Sequence, residues 1–182
     1  MSFESQFPGS FPTTRLRRLR GNPRLRELAR HTRLSASQLL YPLFVRSGQG
    51  LRREISSMPG VFQHSVDELK KEVREVAELG IGGVLLFGIP DEKDPLGGDS
   101  YSDDGIVQQA LRAAREAAPE LFLVTDVCLC EYTDHGHCGV VDRSTGRADV
   151  NNDATLELLA KQAASHARAG ADLVAPSGMM DG

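Results

Sequence analysis

The stretch that decides the fold runs from residue 121 to residue 139: L-F-L-V-T-D-V-C-L-C-E-Y-T-D-H-G-H-C-G, Leu121 to Gly139. Leu121-Phe122-Leu123-Val124 is apolar and partly β-branched, which predicts a buried strand. Side chains alternate along a strand, so Asp126, Cys128 and Cys130 are expected on one face, with Val127 and Leu129 on the other. The turn Tyr132 to Gly136 then returns the chain and can carry Cys138 to the same point. These are all three cysteines of the protein. Convergent thiols of this kind predict a metal site.

The spacing Cys-x-Cys-x7-Cys is not the paired Cys-x2-Cys of structural zinc knuckles, and no second pair exists in the chain. Soft thiolates select zinc over magnesium or calcium. Three protein ligands leave one tetrahedral position open, the mark of a catalytic zinc. Three thiolates also leave the cluster net negative, a weaker Lewis acid than a three-histidine site and better suited to holding an amine or carbonyl. Two blander readings are disfavoured. Buried free cysteines of a core scatter rather than converge, and a disulfide fits poorly with an odd cysteine count and no export signal. His135 and His137 flank the turn. Either can close the metal shell, His137 being better placed, or both can hold the loop by hydrogen bonds.

Outward from this segment, a unit repeats. Leu39–Val45 reads as a strand, Ser65-Val66-Asp67-Glu68 as a capping box, and Val66, Leu69, Val73 and Val76 as one helical stripe ended by Gly80. Gly83–Gly88 is a second strand, apolar on both faces as a covered parallel strand is. Asp104 is expected to cap a helix to about Ala117. Asn152-Asp153 is expected to cap a long helix carrying Leu156, Leu159, Ala160, Ala163 and Ala167 and closed by Gly170. Asp172–Ser177 is a fourth strand. Strand then helix, with the polar motifs after the strands, predicts a parallel α/β fold. No Gly-x-Gly-x-x-Gly or Walker loop follows a strand, so nucleotide folds lose support. A (β/α)8 barrel places its chemistry on the loops after the strands but needs about 250 residues. The 182 residues here pass only a fourth strand, so they are expected to hold about the first half of a barrel.

Ahead of it, residues 1–34 read as an N-terminal arm and short helix, leaving 35–182 as the barrel strands. Phe3–Thr14 lacks periodicity, Arg15–Arg20 is a basic run, and Asn22-Pro23 opens a short helix carrying Leu25, Leu28 and Ala29. The run favours a solvated arm or subunit contact over nucleic acid, because the whole chain has a net charge of −4 and no nucleic-acid motif. No apolar run is long enough for a membrane and no secretory signal opens the chain, so the cytoplasm is the expected location.

After strand four, Ser177 can donate a hydrogen bond to a substrate, or serve only as a turn residue; Met179 and Met180 read as packing. The polar, glycine-rich loop Asp91–Asp104 is either a lid or an ordinary surface loop. Lys70, Lys71, Lys93 and Lys161 are the only lysines, and none falls at a strand end in an apolar pocket. A Schiff-base lysine, if the chemistry needs one, is not expected in this chain.

D-V-C-L-C-E-Y-T-D-H-G-H-C-G resembles the zinc-binding segment of the porphobilinogen synthases, also called 5-aminolevulinate dehydratases. T-T-R-L-R-R-L-R from Thr13, M-P-G-V at Met58–Val61, L-F-G-I-P at Leu86–Pro90, N-D-A-T-L at Asn152–Leu156 and A-P-S-G-M-M-D-G from Ala175 extend the likeness over nearly the whole chain. The resemblance implies a (β/α)8 TIM barrel and a lyase that condenses two 5-aminolevulinate molecules to porphobilinogen, towards haem and other tetrapyrroles. It also implies a homo-octamer whose N-terminal arms embrace neighbouring subunits. It makes Cys128, Cys130 and Cys138 the ligands of a catalytic zinc, Asp126 the active-site aspartate and Ser177 the active-site serine. Members without zinc carry Ala and Asp at the cysteine positions, so this chain is similar to the zinc-dependent branch. The family's Schiff-base lysines and substrate-carboxylate grips belong to the half not seen here, so this piece alone is expected to be inactive. Two other readings stay open: a different zinc-dependent barrel lyase or aldolase, and a structural or sensing zinc domain with a histidine as fourth ligand.

Overall fold

The structure, a computed structural model, describes Gly9, residues 14–144 and residues 146–182. It divides into two compact units, Met1–Ser35 and Ala36–Gly182. The arm expected over Phe3–Thr14 lies almost wholly outside the described residues. In the first unit a 3-10 turn, Leu16–Arg20, precedes helix α1, Pro23–Leu28. Asn22 caps α1 as its sequence predicts, its Oδ1 accepting the Arg24 N–H at 2.8 Å. Leu28 is 78% exposed.

The second unit is a six-stranded sheet covered on one face by helices. Its strands are β1 (Leu40–Arg46), β2 (Arg52–Glu54), β3 (Phe62–His64), β4 (Gly83–Ile89), β5 (Phe122–Val127) and β8 (Leu173–Pro176), in the order β2-β3-β1-β4-β5-β8. The remaining strands, β6 (Val141–Asp142) and β7 (Asp149–Val150), form a small separate hairpin. The run β1-β4-β5-β8 is parallel throughout, and the connecting helices are α2 (Val66–Glu78), α3 (Ile106–Ala117) and α4 (Asn152–Ala169). This is the strand-helix order of a (β/α)8 barrel, carried through four strands. β1 is flanked on both sides. The short strands β2 and β3, which local pattern did not reveal, pair β3 against Phe44 and Val45 of β1.

The core lies between the sheet and its helices. Leu43, Val45, Val84, Leu86 and Leu123 from the strands meet Leu69, Val73 and Val76 of α2 and Val107, Ala110, Leu111 and Ala114 of α3. The opposite face of the sheet is the inner wall of the barrel. Leu40, Phe122 and Leu173 there remain 50%, 42% and 45% exposed. Among the described residues no helix is long and apolar enough to cross a membrane.

Three helix starts differ from expectation. Ser65 precedes α2, but its hydroxyl donates to Asp67 Oδ1 at 2.6 Å and accepts the Leu51 N–H at 2.9 Å, so no capping box forms. Tertiary contact with the β2 approach has taken the hydroxyl. Gly105, not Asp104, precedes α3, and Asp99 Oδ2 accepts the Ile106 N–H at 3.4 Å. Asn151, one residue earlier than expected, caps α4 through the Ala154 N–H at 3.1 Å. Gly80 and Gly170 do close α2 and α4, at φ +70° and +109°.

Candidate metal centre and the face around it

β5 carries the site to the C-terminal end of the parallel sheet. Its pairing with β8 stops at Val127 opposite Pro176. Without a further ladder the chain turns, the Leu129 carbonyl accepting the N–H groups of Tyr132 and Thr133 at 2.9 Å each. Strand alternation therefore ends before Cys130, which the sequence pattern had placed on the strand face. The turn instead brings Cys130 back, its Sγ 3.4 Å from Cys128 Sγ. The three sulfurs of Cys128, Cys130 and Cys138 lie within 4.8 Å of one another. A zinc ion with sulfurs at about 2.3 Å sets them about 3.8 Å apart, so the three residues present fit a tetrahedral zinc.

Cys128 is buried and Cys130 and Cys138 half-buried. Burial pushes the thiols of Cys130 and Cys138 up; for Cys130 a 2.9 Å hydrogen bond to Glu131 Oε2 adds to it. Asp126, on the strand face pointing to the barrel interior, also stands above the usual carboxylate range. Burial is the main cause, the Glu131 charge adds, and a hydrogen bond from Ser177 opposes. Ser177 and Asp126 are thus brought into contact, as neighbours at the ends of adjacent strands.

The histidines go elsewhere. His135 Nε2 lies 3.3 Å from the Pro95 carbonyl, and its Nδ1 accepts the His137 N–H at 3.1 Å. Neither belongs to a group of converging metal donors among the described residues. They hold the loop. Met179, expected to pack, is 97% exposed, because Asp181 and Asn152 exchange hydrogen bonds of 2.8 and 2.9 Å that bind the segment to the start of α4. The loop Asp91–Asp104 is pinned at several points rather than loose. Asp94 N–H and carbonyl bond to Tyr132 and Asp134 of the cysteine turn at 3.3 Å, and Gln108 Nε2 holds the Ser100 carbonyl at 2.9 Å. Lys93 lines a polar cavity of about 510 Å³ with Asp91, Asp94 and Asp99. Lys70 and Lys71 pair with Glu116 and Glu68, each at 2.6 Å.

Two features escaped the sequence pattern. One is Glu131, whose carboxylate forms a second converging group with Asp126 and Cys128. The other is the inner face of α4. Of the apolar residues that the sequence placed on this helix, Leu156 and Leu159 are only half-buried, while Thr155, Gln162, Ser165 and His166 are buried. Gln162 Nε2 donates to the Cys128 carbonyl at 3.1 Å, His166 Nδ1 lies 3.0 Å from Thr125 Oγ1, and Thr155 Oγ1 accepts the Val140 N–H at 3.0 Å. The helix positions both ends of the cysteine segment. Residues 155, 158, 162, 165, 166 and 169 repeat at helical spacing, the one signal that a search for polar as well as apolar periodicity would have found.

Known proteins resemble this chain in sequence and in fold. A family model described as delta-aminolevulinic acid dehydratase matches residues 13–182. A delta-aminolevulinic acid dehydratase of Synechococcus elongatus is 52% identical over 172 residues, 94% of this chain and 53% of the relative. One from Halalkalibacterium halodurans is 49% identical over 168 residues, 92% of this chain and 50% of the relative. The chain spans about half the length of the curated relatives it matches. A crystal structure of delta-aminolevulinic acid dehydratase (porphobilinogen synthase) from Toxoplasma gondii, in complex with the reaction product porphobilinogen, superposes with a TM-score of 0.88 at 41% identity. It covers 96% of this chain and 49% of that one. Sequence over nearly all of its length and fold together show that the chain belongs to the delta-aminolevulinic acid dehydratase family.

Proposed function

We propose that this chain is the metal-holding part of a zinc-dependent porphobilinogen synthase, which joins two 5-aminolevulinate molecules into porphobilinogen with loss of two waters. The observation that carries this reading is the meeting of three sulfurs with the Asp126–Ser177 pair at the C-terminal end of a parallel sheet, in a chain of this family. Cys128, Cys130 and Cys138 hold the zinc, and Asp126 and Ser177 are the catalytic pair. When bound, the zinc supplies a Lewis acid for the amine or carbonyl of a substrate. Asp126, lifted in pKa by burial, is suited to hold a proton and pass it on. Ser177 orients its carboxylate. The stacked rings of Phe44 and Phe87, 5.1 Å apart, lie on the same inner wall.

The reading takes residues 1–34 as an arm and 35–182 as the first four β/α units, with a homo-octamer as the assembly; family likeness supports each. It gives the Schiff-base lysine to sequence outside residues 1–182, since the four lysines here are paired, exposed or in a polar loop. A sensing or structural zinc domain loses support because neither histidine joins the sulfurs.

A version extended to the length of its relatives is expected to convert 5-aminolevulinate to porphobilinogen and to lose that activity on zinc chelation. Full turnover after complete zinc removal would overturn the zinc assignment. Residues 1–182 alone are expected to give no borohydride-trapped adduct with 5-aminolevulinate, and an adduct on any of the four lysines would contradict the reading.

A further inference from the structure

β4 and β5 stop pairing at Leu86 opposite Thr125, yet the two chains meet again beyond their ends. Asp94, in the loop that follows β4, forms a parallel bridge with Thr133 in the middle of the cysteine turn. Its N–H donates to the Tyr132 carbonyl and its carbonyl accepts the Asp134 N–H, each at 3.3 Å. One residue on, the Pro95 carbonyl lies 3.3 Å from His135 Nε2. Gly97 packs so closely that a Cβ there would stand 3.0 Å from Tyr132 Cβ. The Asp94 carboxylate gives this loop its shape. Oδ1 accepts the Leu96 N–H and Oδ2 the Gly98 N–H, both at 2.7 Å, so one side chain closes the backbone on itself twice. A charged acceptor makes such bonds stronger than a neutral one does.

We infer that Asp94 is a positioning residue for Cys138, acting through the loop it shapes; this rests on the zinc reading of the three cysteines. The sulfurs reach their meeting point by different routes. Cys128 directly follows β5, and Gln162 of α4 holds its carbonyl at 3.1 Å. Cys130 lies inside the turn that closes on the Leu129 carbonyl. Cys138 arrives only after the return, residues 134–137, and that return is fastened to the loop after β4. Asp134 is held by Asp94 and His135 by Pro95. The hold passes on towards the cysteine. His135 Nδ1 accepts the His137 N–H at 3.1 Å, which leaves the ring proton on Nε2 to face Pro95. Thr133 Oγ1 donates to the His137 carbonyl at 2.8 Å, and His137 is the residue before Cys138. Beyond Cys138, α4 takes over, Thr155 Oγ1 accepting the Val140 N–H at 3.0 Å. Cys138 thus hangs between two supports, the β4 loop before it and α4 after it. Loss of the first leaves it tied on one side only, so its sulfur strays from the other two and an ion gains less from it. Asp94 does this without touching the ion.

The test uses residues 1–182 and reads each cysteine separately. Alkylation of the metal-free chain, located by tandem mass spectrometry, gives the relative reactivity of the three thiols and tolerates self-association. Chelator competition gives the zinc affinity. Asp94→Ala is expected to speed alkylation of Cys138 relative to Cys128 and to weaken zinc binding about tenfold, the scale of a lost supporting contact. Gly97→Ala keeps the carboxylate but sets a side chain at φ +65° and against Tyr132, so it should produce the same pair of changes. Asp94→Asn, whose amide oxygen retains one of the two N–H bonds, should recover part of the affinity. Glu92→Gln removes a neighbouring charge from the same loop and should change neither readout. Unchanged relative reactivity of Cys138 in Asp94→Ala overturns the positioning role and leaves the three-cysteine site standing. Equal acceleration at all three cysteines marks general loosening of the fold and overturns it too, as does equal weakening of zinc in Glu92→Gln, which reduces the effect to charge. An unsubstituted chain that binds no zinc overturns the zinc reading and this inference together.

Discussion

At the residue scale the cysteine cluster makes the sharpest demand. Two thiolates hold zinc far less well than three, and the turn supplies no spare sulfur. Cys138→Ala is expected to weaken zinc binding by more than the roughly hundredfold typical of losing an outer partner. Chelator competition measures this, and full retention of zinc would remove Cys138 from the site. Asp126 stands apart from the ligands. In the extended version, Asp126→Ala is expected to keep its zinc and lose on the order of a hundredfold or more in turnover, the scale of a positioned acid or base. Unchanged turnover would return Asp126 to a structural role. His166 sets a pH limit of its own. Buried on α4 against Thr125, it has a pKa lowered to about 4, the main cause being burial. The unfolded chain takes up this proton near pH 6.5 and the folded one does not. The His166 contribution is therefore fully present above about pH 6.5 and drains away as pH falls towards 4, by roughly 3 kcal/mol in all. Denaturant midpoints across that range should fall with pH, and His166→Gln should flatten the slope.

At the element scale α4 works as a clamp. Its buried polar face is spent on β5, on α3 through the 2.9 Å bond between Gln108 and Ser165, and on the returning loop through Thr155. Gln162→Leu strands the buried Cys128 carbonyl, which costs about 1–3 kcal/mol. It should also loosen zinc about tenfold, since a partner that fixes ligand orientation is lost. Chemical denaturation and chelator competition read the two effects separately. A stability loss with zinc affinity intact would make the clamp purely structural. Gly139 shows how closely the loop seats on this helix. A Cβ there would stand 2.3 Å from Thr155 Oγ1, so no larger residue fits without moving the loop that carries Cys138.

At the scale of the whole molecule, the exposed inner wall decides behaviour. Leu40, Phe122 and Leu173 present apolar surface on the side away from the helices, and β8 ends the described sheet with an unpaired edge. A closed barrel buries such a wall and abolishes such an edge. Residues 1–182 in isolation are expected to self-associate, which light scattering would show. A monodisperse monomer with a cooperative melt would count against that expectation.

The sequence by itself determined the parallel α/β order, the convergence of the three sulfurs and the nearness of Asp126 to Cys128, though not the single strand face it had suggested for them. Strand composition, helix-ending glycines and cysteine spacing are local signals, written within a few residues of the structure they produce. Only the tertiary structure decided how Cys130 reaches Cys128, since that depends on where β8 stops pairing. It alone turned His135 and His137 away, seated Glu131 against the sulfurs, and put polar residues on the buried face of α4. The polar face of α4 and the placing of His135 rest on hydrogen bonds between residues some thirty to sixty positions apart, such as Gln162 with Cys128, Gln108 with Ser165 and His135 with Pro95. A buried polar group finds its partner wherever the fold delivers one, and no local pattern records which partner that is.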